Sequence, residues 1–401
     1  MKILLALLVF LVVVVGPYTA RAQSSAPEID ALLKAAVDQK RVPMAVAMVA
    51  DAKGVVYEYA VGAPKDAIFA IASMTKPVTS VAVMQLVEAG KVKLDEPAAT
   101  YVPELAGMQV LDKGTLRAPK SPLTVRQLLT HTAGFGYEFM SRDLLDLVAR
   151  KQVPSMMAGG DSFLKAPLLF DPGARWEYGI NTDWLGRLVE RVSGQSLDVY
   201  FRERIFDPLG MSDTSFVVPK DKQARAVPTS QRNKDGSLTQ QPRPPAPPPK
   251  FFSGGGGLFS TASDYMKLVR ALMAGGALGG KRILSAASVA EMGKNQIGAL
   301  TIRPFASVMP QLATDNAALP GGLDKFGLGF ALNSTSQGTQ RGANTLAWAG
   351  IYNTFFWIDR EKRLGAVLMT QMLPGLDPGP ATLLEDFDRA VYAWSAARAK
   401  R

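Results

Sequence analysis

Ser73 and Lys76 stand three residues apart in Phe69-Ala70-Ile71-Ala72-Ser73-Met74-Thr75-Lys76, where an apolar run gives way to a helical pattern. On a helix that spacing places both side chains on one face, a turn apart. A serine hydroxyl is a weak nucleophile until a base takes its proton. An amine one turn away can be that base if its surroundings keep it partly unprotonated. Ser73 is therefore a candidate covalent nucleophile. The spacing alone is weak, since a chain of this length holds about one such pair by accident. Ser162-Phe163-Leu164-Lys165 is such a pair, but it follows Gly159-Gly160 and meets Pro167 at once, so any helix there is short.

The composition closes other routes. There are no cysteines, which excludes disulfides, thiolate catalysis and cysteine-ligated metals. One histidine, His131, cannot furnish the several ligands of a zinc hydrolase, so no metal is expected. A serine–histidine–acid triad would have to use that same residue, and no Gly-x-Ser-x-Gly elbow occurs anywhere. The formal net charge of +10 allows peripheral association with anionic envelope polymers or lipid headgroups. It lacks the basic clusters interleaved with aromatics that nucleic-acid binding requires.

At the start, Lys2, an apolar run from Ile3 to Val15, Gly16-Pro17 and then Ala20-Arg21-Ala22 have the layout of a secretory signal peptide over residues 1–22, with cleavage after Ala22. The expected destination is the periplasm or the exterior. Beyond it, Ile29, Leu32, Leu33, Ala36 and Val37 recur at helical spacing, and two apolar runs, Val42 to Ala50 and Val55 to Val61, flank Asp51-Ala52-Lys53-Gly54. This predicts a helix followed by a β-hairpin. A helix is expected from Ser73 to Gly90, with Pro77 as an anomaly that removes the bond to the Ser73 carbonyl. From Leu94 to Phe216 the pattern is helical, including Thr124 to Leu129 and Trp184 to Val192. Gln241 to Lys250 is Pro-rich and leads into Ser253-Gly254-Gly255-Gly256-Gly257. A helix begins at Ser260-Thr261-Ala262-Ser263, and strand-like runs return at Phe326 to Leu332, Thr345 to Ala349, Thr354 to Ile358 and Leu364 to Thr370. The expected organisation is an α+β domain built from 27–90 and 255–398, interrupted by a helical insertion over 91–254.

These residues resemble the serine β-lactamase and penicillin-binding family, most of all its class C β-lactamases and family VIII carboxylesterases. Besides Ser73-Met74-Thr75-Lys76, the resemblance is carried by Leu128-Leu129-Thr130-His131-Thr132-Ala133-Gly134, Pro172-Gly173-Ala174-Arg175-Trp176-Glu177-Tyr178, Pro208-Leu209-Gly210-Met211 and Gly256-Gly257-Leu258-Phe259-Ser260-Thr261. Several segments in the right order form a specific signal. The resemblance implies a β-lactamase/transpeptidase-like fold, an antiparallel sheet flanked by helices with an inserted helical domain. It makes Ser73 the acylated nucleophile, Lys76 its proton acceptor or electrostatic partner, and Tyr178 the second acid–base group. His131 is structural in this motif. No cofactor is implied.

The sequence departs from the family pattern twice. Where the family has a strand-borne triad beginning with a cation, this chain has Trp348-Ala349-Gly350, then Ile351; family VIII esterases show a similar tryptophan and glycine pattern. A lysine there would help hold a substrate carboxylate, and tryptophan cannot. Gly350 lets the backbone approach a substrate, and the amides of Ile351 and Ser73 are expected to form an oxyanion hole. Class C β-lactamases also carry an asparagine two residues after the tyrosine; here that residue is Ile180, with Asn181 one place late. Phe251, Phe252, Tyr352 and Phe355 would make the cleft more apolar still if they line it. The expectation is an exported serine hydrolase cleaving short to medium acyl esters. Its alternatives are a β-lactamase or D-alanyl-D-alanine peptidase, and a silent binding protein for cell-wall fragments.

Overall fold

The computed structural model describes residues 25–242, 249–315, 319–336 and 340–400. The expected leader over 1–22, and Pro244, Pro245, Pro247 and Pro248 of the Pro-rich stretch, lie outside the described residues. The first helix, α1 (Pro27–Asp38), leads into the hairpin of β1 (Ala45–Asp51) and β2 (Gly54–Val61). Asp51 Oδ1 closes its turn by accepting from the amides of Lys53 and Gly54 at 2.8 and 3.2 Å. The rest of the sheet comes from the far end of the chain: β3 (Lys325–Phe326), β4 (Ala331–Leu332), β5 (Leu346–Gly350), β6 (Thr354–Asp359) and β7 (Leu364–Met369). The order across it is β3-β4-β5-β6-β7-β1-β2, antiparallel at every step.

Every residue of β6 and β7 is buried, because both faces of the sheet are covered. Alternation divides β1 between two cores. Ala45, Ala47 and Val49 join Leu368 and Trp357 beneath α1 and the last helix, α5 (Pro378–Ala399). Val46, Met48 and Ala50 join Val367 and Met369 on the other face, which packs on α2 (Thr75–Glu88) and α4 (Ala262–Met273). Thr261 caps α4 by accepting from Asp264 N at 3.1 Å.

The run Phe326 to Leu332 is two short strands, β3 and β4, joined through Gly327-Leu328-Gly329-Phe330 rather than a single strand. Pro77 also reads differently in the structure. A 3₁₀ turn covers Ala72–Met74 and the α-helix proper starts at Thr75, so Pro77 sits in the first helical turn, where amides have no intrahelical acceptor in any case. Between residues 91 and 254 lie α3 (Asn181–Ser193) and shorter helices such as Val125–Leu129, whose Thr124 and Gln127 form a reciprocal capping box. Two hairpins that the helical pattern did not announce also lie there, Val110–Arg117 and Ser230–Gln240. The second adds a parallel pairing with Met372–Leu373.

α5 is bound to the sheet by a buried ion pair. Arg341 Nη2 lies 2.7 Å from Asp388 Oδ2, and Trp357 Nε1 donates to Asp388 Oδ1 at 2.8 Å. Burial raises the Asp388 carboxyl above its usual range while Arg341 pulls it back. Taking one member from such a pair leaves a buried charge without its counter-ion. Asp388→Ala is expected to lower unfolding free energy by about 3–5 kcal/mol, read from the urea midpoint; Asp388→Asn should cost less, since the amide can still accept from Trp357.

Candidate active site

The segment that carries Ser73 is braced from both sides. Phe69–Ala70 pairs with Phe259–Ser260, Ile71 N donates to Leu258 O at 3.0 Å, and Ala70 N donates to Gln371 Oε1 at 3.0 Å. Ala72, which precedes Ser73, holds φ at +42°, a left-handed conformation costly for any side chain with a Cβ. The strain turns the chain sharply into the helix and leaves Ser73 partly exposed at the tip.

Lys76, one turn on, is 1% exposed. Its Nζ donates to Ser73 Oγ at 3.0 Å, to Tyr137 OH at 3.0 Å and to the Gly255 carbonyl at 2.6 Å. Three oxygens thus satisfy three ammonium protons. Tyr178 OH donates to Ser73 Oγ at 2.6 Å, so the two groups expected to move the serine proton both touch its oxygen. The Tyr178 ring centroid lies 4.7 Å from Lys76 Nζ.

Two aligned stretches bring the tyrosines together. Glu177 N bonds to His131 O, Gly173 N to Thr132 O, and Leu169 N to Gly134 O, so residues 131–134 run beside 169–177. Tyr137 and Tyr178 end with ring centroids 5.0 Å apart. Burial pushes the Tyr137 phenol well above its usual range, and Tyr178 and Asp183 push it the same way, so it stays protonated. His131 is fully enclosed; burial and then Lys76 pull it well below its usual value and keep it neutral. Its Nδ1 lies 2.9 Å from Asn181 Nδ2. The displaced asparagine is thus turned to the histidine.

Trp348, on β5, packs edge-on to Tyr178 with centroids 5.1 Å apart and against Phe326 at 5.5 Å. Two residues on, a Cβ at Gly350 would lie 2.4 Å from both Ile71 O and Thr354 Oγ1. Only glycine lets this strand lie so close to the chain entering the Ser73 turn. Ser73, Tyr178, Trp348, Gly350 and Ile351 all line one cavity of about 870 Å³. Phe251, Tyr352 and Phe355 line it too, with Phe139, Phe163 and Phe305. Phe252 does not; it packs on Phe216, centroids 5.1 Å apart. Ser162–Lys165, the second serine–lysine pair, forms an isolated 3₁₀ turn.

Tyr137 and Asp183 also line this cavity, and neither was expected there. In the sequence Asp183 has no mark that sets it apart from an ordinary acid at the start of a helix, and Tyr137 follows its motif by three residues with no distinguishing spacing. Both are recognised only once the chain is folded around Lys76.

The beta-lactamase family profile matches residues 29–389. The chain belongs to the beta-lactamase family. Lovastatin esterase of Penicillium rubens is 30% identical, over 90% of this chain and 97% of its own length. Monacolin J acid methylbutanoyltransferase of Aspergillus terreus is 31% identical, over 80% of this chain and 81% of its own. The solved structure of unliganded simvastatin synthase, also from Aspergillus terreus, superposes with a TM-score of 0.79, covering 92% of this chain and 98% of that one at 30% identity. The beta-lactamase/transpeptidase-like fold is thereby established, and this family member is a serine hydrolase by its relatives.

The Gly350 contact gives a direct test of the geometry. Gly350→Ala should force β5 away from Ile71 and displace the wall facing Ser73, slowing phosphonate labelling of the serine about a hundredfold. Because the clash is local, the variant is expected to stay folded, checked by its Tm.

Proposed function

We propose that this protein is an exported serine hydrolase cleaving carboxylic esters with short to medium acyl groups through an acyl-enzyme on Ser73. The observation that carries this reading is the convergence of Lys76 Nζ and Tyr178 OH on Ser73 Oγ, at 3.0 and 2.6 Å, beside a cavity walled mainly by aromatic and aliphatic side chains. An ester lies with its carbonyl carbon over Ser73 and its oxygen between the Ser73 and Ile351 amides. Tyr178, which donates to Ser73 Oγ at rest, acts once its phenol proton has left, to solvent or by way of Lys76; as the Oγ–C bond forms, the serine proton then passes to the Tyr178 oxygen. The same proton then goes to the departing alkoxide. Water, deprotonated by the same tyrosine, attacks the acyl carbon and releases the acid.

An alcohol can replace water in that last step, and the transferase named among the relatives favours this second reading. A β-lactamase or cell-wall peptidase is disfavoured because Trp348 stands where a cation would hold the substrate carboxylate. A silent binding protein would have no need for a buried lysine bonded to a serine. Export rests on the composition of residues 1–22, with periplasmic or secreted placement and any envelope association following from it.

Steady-state kinetics on p-nitrophenyl butyrate and a chromogenic cephalosporin test the reading. The ester kcat/KM should be far the larger. Ser73→Ala should abolish it, and Tyr178→Phe should lower it by about 10²–10⁴-fold. A dominant cephalosporin rate would overturn the assignment. Added alcohol that diverts product from acid to a new ester would establish transfer.

A further inference from the structure

Asp183 lies in the first turn of α3, where an acidic residue is ordinarily exposed and favours the helix only through its dipole. Here it is 2% exposed and turned inward. Its Oδ1 accepts from Ser253 Oγ at 2.6 Å and from the Gly255 amide at 3.1 Å. The carbonyl of that same Gly255 accepts from Lys76 Nζ at 2.6 Å, and the carbonyl of Gly254 accepts from Thr79 Oγ1, a turn further along α2, at 2.7 Å. Two successive glycine carbonyls thus face α2 while α3 grips the loop from behind. A Cβ on Gly255 would lie 2.4 Å from Asp183 Oδ2.

We propose that Asp183 is a positioning residue for the serine–lysine pair: its carboxylate fixes the Gly255 carbonyl against Lys76, and its charge sets the pH dependence of the reactivity of Ser73. This rests on the serine-hydrolase reading above and deepens it. The two bonds it accepts could equally be made to an amide oxygen, so what distinguishes a carboxylate here is charge. Burial raises its pKa, while Lys76, Ser253 and Gly255 favour the anion.

The other groups around Lys76 do not supply that charge. Tyr137 is held protonated and His131 neutral, and Tyr178 is the group whose proton is in question. The Ser253–Gly257 loop has no ionisable side chain, and Glu88 lies at the far end of α2. Arg187, a turn beyond Asp183 on α3, bonds to Asp161 and Glu190. Lys250 and Arg341 line the same cavity, Arg341 paired with Asp388. A buried carboxylate holds protons in the cluster around it, as it does on the Tyr137 phenol, so removing its charge should let the cluster release a proton at lower pH.

The experiment is the pH dependence of the rate at which a p-nitrophenyl alkylphosphonate labels Ser73 in the intact protein. Asp183→Asn keeps an acceptor for Gly255 and Ser253 but removes the charge; the acid limb should move down by about one pH unit. Asp183→Ala loses the grip as well, and its plateau rate should fall about tenfold or more. A profile for Asp183→Asn that superimposes on the wild type overturns the proposal. If Asp183→Asn does not fold, Ser253→Ala removes one bond to the carboxylate without touching the charge. Severalfold slower labelling supports the clamp, and an unchanged rate overturns it. Wild-type protein left unlabelled overturns the serine-hydrolase reading itself, a result separable from the other two.

Discussion

A lysine ammonium enclosed by protein must find an oxygen for each proton, and much of this structure follows from how Lys76 does so. An isolated charge withdrawn from water costs far more than one hydrogen bond returns. Ser73 Oγ, Tyr137 OH and Gly255 O divide the work among three parts of the chain: the 3₁₀ turn before α2, the stretch after Gly134, and the glycine-rich loop before α4. Each must be held by its own neighbours. The paired stretches 131–134 and 169–177 hold Tyr137, Leu258 and Gln371 hold the turn, and the glycine loop is held against α3.

The same cluster explains the proximity of two phenols. Tyr137 donates nothing to the serine; it accepts from the lysine and is kept protonated by its surroundings. Tyr178 bonds to the serine itself. Two chemically identical groups that line one cavity are thus separated in role by what they touch, one anchoring the lysine and the other meeting the serine oxygen. His131 beneath Tyr178 is neutral, so it adds packing without adding a competing charge.

What the sequence disclosed of this follows from distance along the chain. Ser73 and Lys76 were legible because helical periodicity relates residues three apart. The N-terminal hairpin was legible because Asp51 and Gly54 mark a turn between apolar runs. Tyr178 and the Trp348–Ile351 segment needed the family resemblance, since nothing local distinguishes them. Tyr137 and Asp183 escaped notice because they meet Lys76 only through long-range folding. Pro77 misled because the register of α2 is set by tertiary contacts that start the α-helix at Thr75, and the hairpins at 110–117 and 230–240 are too short to impose a period.

The order of the sheet also bears on how the protein is made. β1 lies between β2, which follows it directly, and β7, where Val46 meets Met369 near the other end of the chain. Pairings of such sequence separation form late and slowly. A nascent chain that ends before β7 has no partner for one edge of β1, and without β5 it has no wall opposite Ser73. Synthesis therefore cannot complete the site piecemeal: Ser73 is made long before β5 and β7, and its surroundings are complete only when the last strands arrive.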